Sequence, residues 1–260
     1  MPLKSAGSAG SFPIKVSGIH KRLTPGGDSR MKKLGLIGGV GPESTVPYYK
    51  GIVFGVKDRV GHDFFPRITI ESMSCFDVVP MSVAGKKQEL VDYFLDGIKS
   101  LAAAGCDFAA LSCYTGHMVF EELEKVSPIP LVSIVEATLD EAKKRGYKRV
   151  LLLGTKATME DGFFQKPFLR DGVDVVTPDA ATRDWVADHI MNELEQGIVK
   201  DDTAAAFREI ALSLMRQHDA DALVLGCTEL PMVFSKYPDI PQLDGVQIHV
   251  NALVDRILSD

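Results

Sequence analysis

Two cysteines lie at matching positions in two similar stretches of the chain. Cys113 closely follows the apolar run 108–111, and Cys227 closely follows the apolar run 222–225. Each run is too short for a helix and is preceded by an aspartate, which predicts a buried strand that ends near the cysteine. The cysteines are 114 residues apart, as are the two aspartates. The equal spacing indicates two related halves that carry equivalent thiols.

Paired thiols of this kind suggest one particular chemistry. A thiol between a strand and a helix meets free backbone N–H groups, which favour the thiolate. Two thiols on opposite sides of one substrate can act together, because one thiolate removes a proton from carbon while the other thiol returns a proton to the opposite face. Cys113 and Cys227 therefore predict racemisation or epimerisation. We interpret Cys75 and Cys106 as small apolar side chains instead.

The elements that would position these thiols follow a strand–helix rhythm from residue 32 onwards. Besides the two cysteine strands, the apolar pattern predicts strands at 34–38, 67–72, 131–135, 150–155 and 173–176. It predicts helices at 89–104, 116–125 and 248–258, and a helical region over 182–217 that breaks around Gly197. This alternation is typical of parallel sheets flanked by helices, whose ligands bind at the carboxyl ends of the strands. We expect an α/β fold of two pseudo-symmetric domains, each a parallel sheet flanked by helices, with the active site in the cleft between them.

The domain bounds follow from the same pattern. Residues 1–30 are rich in small and turn-forming residues, so we interpret them as a flexible N-terminal extension of artificial origin, with Met31 as the natural start. The first α/β domain is predicted to comprise residues 31–131 together with 245–260. The second is predicted to comprise residues 132–244.

Composition excludes several classes of function. The chain is 45% hydrophobic and 25% charged, with a net charge of −6, which gives no support for binding nucleic acid or an anionic membrane. No apolar run approaches the roughly 18 residues that a membrane helix needs. The four cysteines form neither a CxxC motif nor a Cys/His cluster, which argues for free thiols and against structural zinc. We therefore expect a cytoplasmic protein that binds no metal.

Further motifs flank the two cysteines. The turn 38–42 (Gly-Gly-Val-Gly-Pro) does not match the dinucleotide fingerprint GxGxxG and is better interpreted as a small-anion site at a helix N-terminus. His117 could be the base for Cys113 or a structural residue at a helix start, and the sequence leaves both open. Several hydroxyls could bind a carboxylate or merely cap helices, namely those of Thr115, Thr155, Thr158 and Thr228.

Five motifs together resemble the aspartate/glutamate racemase family, and aspartate racemases in particular. They are Leu36-Ile-Gly-Gly-Val-Gly-Pro-Glu-Ser-Thr45, Cys113-x-Thr-x-His117, Gly154-Thr-x-x-Thr158, Gly226-Cys-Thr-Glu229 and the late pair Asp244 and His249. The resemblance runs in order from Met31 to the C-terminus. It implies a pyridoxal-independent amino-acid racemase that uses no cofactor or metal, acts on a small amino acid and is often dimeric. We expect a homodimer.

The resemblance also implies roles for individual residues. It assigns the two catalytic thiols to Cys113 and Cys227. It assigns carboxylate binding to Thr115, Thr158, Thr228 and the backbone at Val40. Lys166 resembles a lysine that recognises the side-chain carboxylate in aspartate racemases.

Two departures from the family pattern bear on specificity. Tyr114 stands where the family usually has an asparagine that donates to the α-carboxylate, so we expect this substrate-binding position to reshape the pocket. The segment 74–77 lacks the arginine that aspartate racemases tend to have there. A lysine is a mobile point charge, whereas an arginine fixes the plane of a carboxylate. With Lys166 alone, we expect weak or broad use of aspartate and glutamate.

The leading hypothesis is thus an isomerase, a racemase or epimerase of a small and acidic amino acid, aspartate or glutamate. One alternative is another chemistry of the same superfamily, of the hydantoin racemase or malonate decarboxylase type. Another is a non-catalytic, ligand-binding relative. The presence of both cysteines argues against the last, because a binding protein has no need of two thiols.

Overall fold

The computed structural model describes residues 31–259, so the predicted extension at residues 1–30 lies outside the described residues. Within that range the strands are β1 (Leu34–Gly38), β2 (Ile68–Ser72), β3 (Phe108–Leu111), β4 (Leu131–Val132), β5 (Arg149–Gly154), β6 (Asp174–Val176), β7 (Ala222–Gly226) and β8 (Gln242–Asp244).

Helices connect these strands. They are α1 (Pro42–Val60), α2 (Cys75–Val83), α3 (Lys87–Ala103), α4 (Phe120–Val126), α5 (Ile134–Lys144), α6 (Lys156–Glu160), α7 (Gln165–Arg170), α8 (Ala180–Asn192), α9 (Asp201–His218), α10 (Pro231–Phe234) and α11 (Gly245–Leu258). Two 3₁₀ turns, Thr115–Val119 and Leu194–Gln196, precede α4 and α9. None of the helices in residues 31–259 is long and apolar enough to cross a membrane.

The strands form two four-stranded sheets of the same design. Their orders are β2-β1-β3-β4 and β6-β5-β7-β8, and every pairing is parallel. Strands β3 and β7 are buried along their whole length, as expected for central strands covered on both faces. The predicted α/β fold with parallel sheets flanked by helices is confirmed.

The two aspartates that precede the cysteine strands do the same work in each sheet. The carboxylate of Asp107 accepts a hydrogen bond from the backbone N–H of Lys33 at 2.6 Å. The carboxylate of Asp221 accepts one from the backbone N–H of Lys148, also at 2.6 Å. Each aspartate therefore links the start of a cysteine strand to the residue just before the neighbouring strand. This shared role explains why each aspartate lies the same number of residues before its cysteine.

The C-terminal helix packs against the first sheet, although it follows the last strand of the second. Val250 and Leu253 of α11 share a hydrophobic cluster with Leu36 and Tyr48. His249 strengthens this contact. Its Nδ1 accepts from the Tyr48 hydroxyl at 2.8 Å, and its Nε2 donates to the Val132 carbonyl at 3.1 Å. Burial lowers the pKa of His249 to about 3. The exact domain bounds stay a prediction.

Two local predictions need correction, and two elements were not predicted. The strand predicted at 131–135 is only two residues long, because the Ser133 hydroxyl caps α5 by accepting from the N–H groups of Val135 and Glu136. The helix predicted at 116–125 begins as a 3₁₀ turn. Helix α2 and strand β8 were not predicted, since a proline interrupts the first and the second has only three residues. The predicted break at Gly197 is confirmed, where the backbone is left-handed.

Candidate active site

The turn after β1 reaches towards the second half of the molecule. Gly39 and Gly41 have positive φ angles of 78° and 81°. A Cβ at Gly39 would lie 2.1 Å from the Met73 carbonyl oxygen, so this tight turn requires glycine. A Cβ at Gly41 would lie 3.6 Å from Oε1 of Glu229. The first half therefore contacts the residue that follows Cys227 by two positions.

Cys113 lies just beyond the end of β3 and is buried. Burial raises the pKa of its thiol to about 12, and the negative charge of Glu229 acts in the same direction. A hydrogen bond from the backbone N–H of Gly116 opposes both effects. Cys113 is thus a buried thiol with one backbone donor and one nearby carboxylate.

Cys227 has a more acidic neighbourhood. Its Sγ donates to Oε2 of Glu229 at 2.9 Å, and the Thr228 hydroxyl donates to the same carboxylate at 2.8 Å. Burial raises the pKa of the Cys227 thiol well above its usual value, and the charges of Glu229 and Glu195 add to this. Because Glu229 acts on Cys113 as well, the ends of the two cysteine strands meet at this carboxylate.

These environments correct one expectation. The position of each thiol between a strand and a helix was expected to favour the thiolate. In both cases desolvation is the largest influence on the pKa, and it favours the neutral thiol. A ligand that brings positive charge would be needed to reverse it.

Glu229 and Glu195 are site residues that the sequence reasoning missed. Glu229 belongs to the Gly226–Glu229 motif, and its closeness to Cys227 in sequence was a usable signal. Glu195 lies in the 3₁₀ turn before α9, where no motif marks it. One oxygen of each carboxylate and the Cys227 Sγ all lie within 4.8 Å of one another. Burial and the nearby Glu229 raise the pKa of Glu195 to about 7.

His117 has a structural role. Its Nδ1 lies 2.9 Å from the Cys113 carbonyl oxygen, and its Nε2 accepts from the backbone N–H of Ile134 at 3.2 Å. This pattern fixes the neutral tautomer with the proton on Nδ1. Burial lowers its pKa to about 4. Both ring nitrogens hold backbone groups, so His117 positions the Cys113 turn and is not free to act as a base for the thiol.

Tyr114 extends from the Cys113 turn into the core of the second sheet. The side chain is only 4% exposed and belongs to the same hydrophobic cluster as Phe164. Its hydroxyl donates to the Leu225 carbonyl at 3.1 Å. The hydroxyl would have to leave Leu225 to bind a substrate. The substrate-binding role expected of Tyr114 stays a prediction.

The remaining predicted residues differ in their surroundings. Thr158 is fully buried, and its hydroxyl lies 3.0 Å from that of Thr155, the cap of α6. Thr115 begins the 3₁₀ turn after Cys113, and Val40 lies between the two glycines of the β1 turn. The Thr228 hydroxyl is occupied by Glu229. Their roles in binding a carboxylate stay predictions.

Lys166 is exposed on α7 and lines a groove of about 940 Å³ together with Lys87, Phe163 and Arg170. The lining of this groove includes neither of the two cysteines. The contact of Lys166 with a distal carboxylate stays a prediction.

Two parallel sheets of identical strand order, each with a buried thiol after its third strand, define a duplicated α/β protein with a thiol site where the halves meet. The family model for Asp/Glu/Hydantoin racemase matches residues 37–253. The chain belongs to this family of racemases, which makes it an isomerase by homology.

Individual relatives agree with that assignment. The chain is 26% identical to the Broad specificity amino-acid racemase RacX of Bacillus subtilis (strain 168), over 87% of this chain and 98% of the relative. Among solved structures it is similar to a candidate Asp/Glu racemase from Yersinia pestis, at 32% identity and a TM-score of 0.81, over 88% of this chain and 100% of that one. It is also similar to an aspartate racemase from Picrophilus torridus, at 26% identity and a TM-score of 0.68, over 87% of this chain and 94% of that one.

Proposed function

We propose that this protein is a cofactor-independent racemase that interconverts the enantiomers of a small, acidic amino acid by a two-base mechanism. Cys113 and Cys227 are the two bases. The observation that carries the proposal is that both thiols lie at equivalent positions of like-ordered sheets and both experience the charge of Glu229.

Proton balance in this mechanism is simple. One cysteine, as thiolate, takes the proton from Cα and becomes a thiol. The other cysteine, as thiol, gives its proton to the opposite face of the same carbon and becomes a thiolate. The enzyme's net charge is unchanged, and its two thiols have exchanged states. Product release must therefore be followed by proton movement that restores the starting form.

The substrate itself supplies the charge that the buried thiols lack. An α-ammonium group brought beside a buried thiol favours its thiolate, because the opposite charge offsets the desolvation penalty. Substrate binding is thus expected to generate the base, and the proton of that thiol passes to solvent. In the free protein the thiols remain protonated, which slows their alkylation without preventing it.

The surroundings of the two thiols favour one resting form. A backbone N–H donates to each sulfur, from Gly116 at Cys113 and from Glu229 at Cys227, and favours both thiolates. Only the Cys227 thiol also donates to a carboxylate, that of Glu229, and needs its proton to do so. We infer that Cys113 serves as the base and Cys227 as the acid in the first half of the catalytic cycle.

The substrate class is the less direct part of the proposal. The relative from Picrophilus torridus is named an aspartate racemase, and the one from Bacillus subtilis a broad-specificity racemase. Lys166 is our candidate for contact with a second carboxylate, and its exposed position suits a loose grip rather than tight selection. We also propose that the protein is a cytoplasmic homodimer.

Solvent deuterium incorporation at Cα tests this function. Single enantiomers of aspartate, glutamate, several neutral amino acids and a hydantoin are incubated with the protein in D₂O and followed by NMR and chiral chromatography. We expect racemisation with deuterium incorporation, greatest for aspartate or glutamate. Deuterium uptake with none of these compounds would refute the proposal.

Cysteine variants test the two-base assignment. Cys113→Ala and Cys227→Ala are each expected to abolish racemisation while leaving exchange of Cα–H with one enantiomer only. Cys75→Ala is the matched control, because Cys75 is half-buried at the start of α2 and should leave turnover unchanged. Full racemisation by either of the first two variants would rule out two thiol bases.

A further inference from the structure

The Cys227 thiol belongs to a three-residue acidic cluster, and within residues 31–259 no such cluster surrounds Cys113. Glu229 accepts from the Cys227 Sγ, and Glu195 approaches from the 3₁₀ turn between α8 and α9. One oxygen of each carboxyl group and the Cys227 Sγ lie within 4.8 Å of one another, and the two carboxyl groups are hydrogen-bonded. Two carboxyl groups in such contact must share a proton, since both cannot ionise cheaply side by side.

The three side chains differ in their access to water. Cys227 and Glu229 are buried, at 4% and 3% exposure, whereas Glu195 is only half-buried. The turn that carries Glu195 is anchored by the fully buried Leu194. The cluster therefore runs from solvent at Glu195, through Glu229, to the buried thiol.

We propose that Glu195 is a positioning residue that delivers protons from solvent to Cys227 by way of Glu229. This inference rests on the proposed function, because it concerns the step that restores the starting form. After turnover Cys227 is a thiolate. Glu195 gives its proton to the Glu229 carboxylate, Glu229 passes a proton on to the Cys227 thiolate, and solvent reprotonates Glu195. Each transfer breaks one O–H bond and forms one S–H or O–H bond.

The surrounding charges suit this role. Burial and the neighbouring Glu229 together raise the pKa of Glu195 to about 7. Glu195 and Glu229 act on Cys227, and across the site Glu229 also acts on Cys113. A group with a pKa near neutrality both gives and regains a proton readily at neutral pH.

The same turn provides a matched control. Glu193 is two residues before Glu195 but bonds to the Lys200 ammonium at 2.8 Å and the Thr203 hydroxyl at 2.7 Å. Its pKa is lowered, chiefly by the hydrogen bond from Lys200. Glu193→Gln thus perturbs the turn without removing a carboxyl from the thiol cluster.

The first experiment measures steady-state kinetics from pH 5.5 to 9. Glu195→Gln keeps a hydrogen-bond donor but cannot pass a proton, so we expect kcat to fall about 100-fold, the lower end for a positioned proton-transfer group. KM should fall with kcat, because the slowed step follows product release. Glu195→Asp should recover part of the loss, and Glu193→Gln should keep the wild-type pH profile. Wild-type kcat in Glu195→Gln would overturn the proposal.

A second experiment needs no racemase activity, so it separates failure of this inference from failure of the proposed function. Alkylation of Cys227 by iodoacetamide is followed by mass spectrometry in the Cys113→Ala background. At pH values below its pKa, a thiol with no titrating neighbour is alkylated about tenfold faster for each unit by which the pH rises. Ionisation of Glu195 near pH 7 should flatten that rise, because added negative charge disfavours the thiolate. Glu195→Gln should restore the constant slope. A constant slope with Glu195 present would overturn the proposal, even if Glu195→Gln failed to fold.

Discussion

Replacing Tyr114 tests whether this side chain joins the two halves through the core. Tyr114→Phe removes only the hydroxyl that donates to Leu225. One hydrogen bond contributes about 1 kcal/mol, which corresponds to roughly 2–4 °C in the melting temperature of a chain this size. Tyr114→Asn, the residue typical of the family, also removes a ring that is 4% exposed. Truncating a buried aromatic side chain costs about 3–5 kcal/mol, and the new amide lies among apolar neighbours.

The expected order of stability is therefore wild type, then Tyr114→Phe, then Tyr114→Asn, with the larger step between the two variants. Urea unfolding monitored by circular dichroism measures it. Gly245 supplies a cross-check, because a Cβ there would lie 1.8 Å from the Tyr114 phenol oxygen. Gly245→Ala should cost less in the Tyr114→Phe background than alone, which a double-mutant cycle reveals.

Equal stability of Tyr114→Phe and Tyr114→Asn would refute the core position of the ring. A raised KM in Tyr114→Phe would instead support a direct contact between the phenol and the substrate.

Two further predictions concern pH and reagents. Because His117 and His249 have folded pKa values of about 4 and about 3, the unfolded chain binds their protons first as pH falls below about 6.5. The free energy of unfolding should fall by about 1.4 kcal/mol per pH unit for each histidine between pH 6 and 4, measured by urea midpoints, and the slope should lessen in His117→Asn but not in His62→Asn. Activity should survive EDTA and hydroxylamine but be lost with iodoacetamide, and activity that disappears with EDTA and returns with a divalent metal would contradict the metal-free mechanism.

Much of the architecture follows directly from sequence. The cysteine strands and their aspartates carry a signal that depends only on local patterning and spacing. Strand β8 and helix α2 were not predicted. Short or proline-containing elements are stabilised by tertiary packing and have no clear periodicity in their sequence. The thiols could be located from sequence because each ends a strand. Glu195 could not, since its place beside Cys227 depends on how a turn folds back from a distant part of the chain.

Tyr114 shows a second limit of predicting a residue's role from its sequence. The resemblance located the position correctly within a motif, but a family role presumes that the side chain points the same way. A phenol is long enough to cross from the first half to Leu225, and an asparagine is not. The identity of the residue therefore changes which structure it contacts, and motif position alone does not determine the role.

The duplicated backbone and the unequal charges around its two thiols lead to one last constraint. Enantiomers have equal free energies in water, so the equilibrium of a racemisation lies at equal concentrations and kcat/KM must be the same in both directions. The acidic cluster at Cys227 can therefore make kcat and KM differ between the two enantiomers, but kcat/KM must stay equal for both. If Glu195 supplies protons to Cys227, Glu195→Gln must keep kcat/KM equal for the two enantiomers even where the two kcat values change unequally. A loss confined to one direction of kcat/KM would mean that the measured reaction is not a simple racemisation.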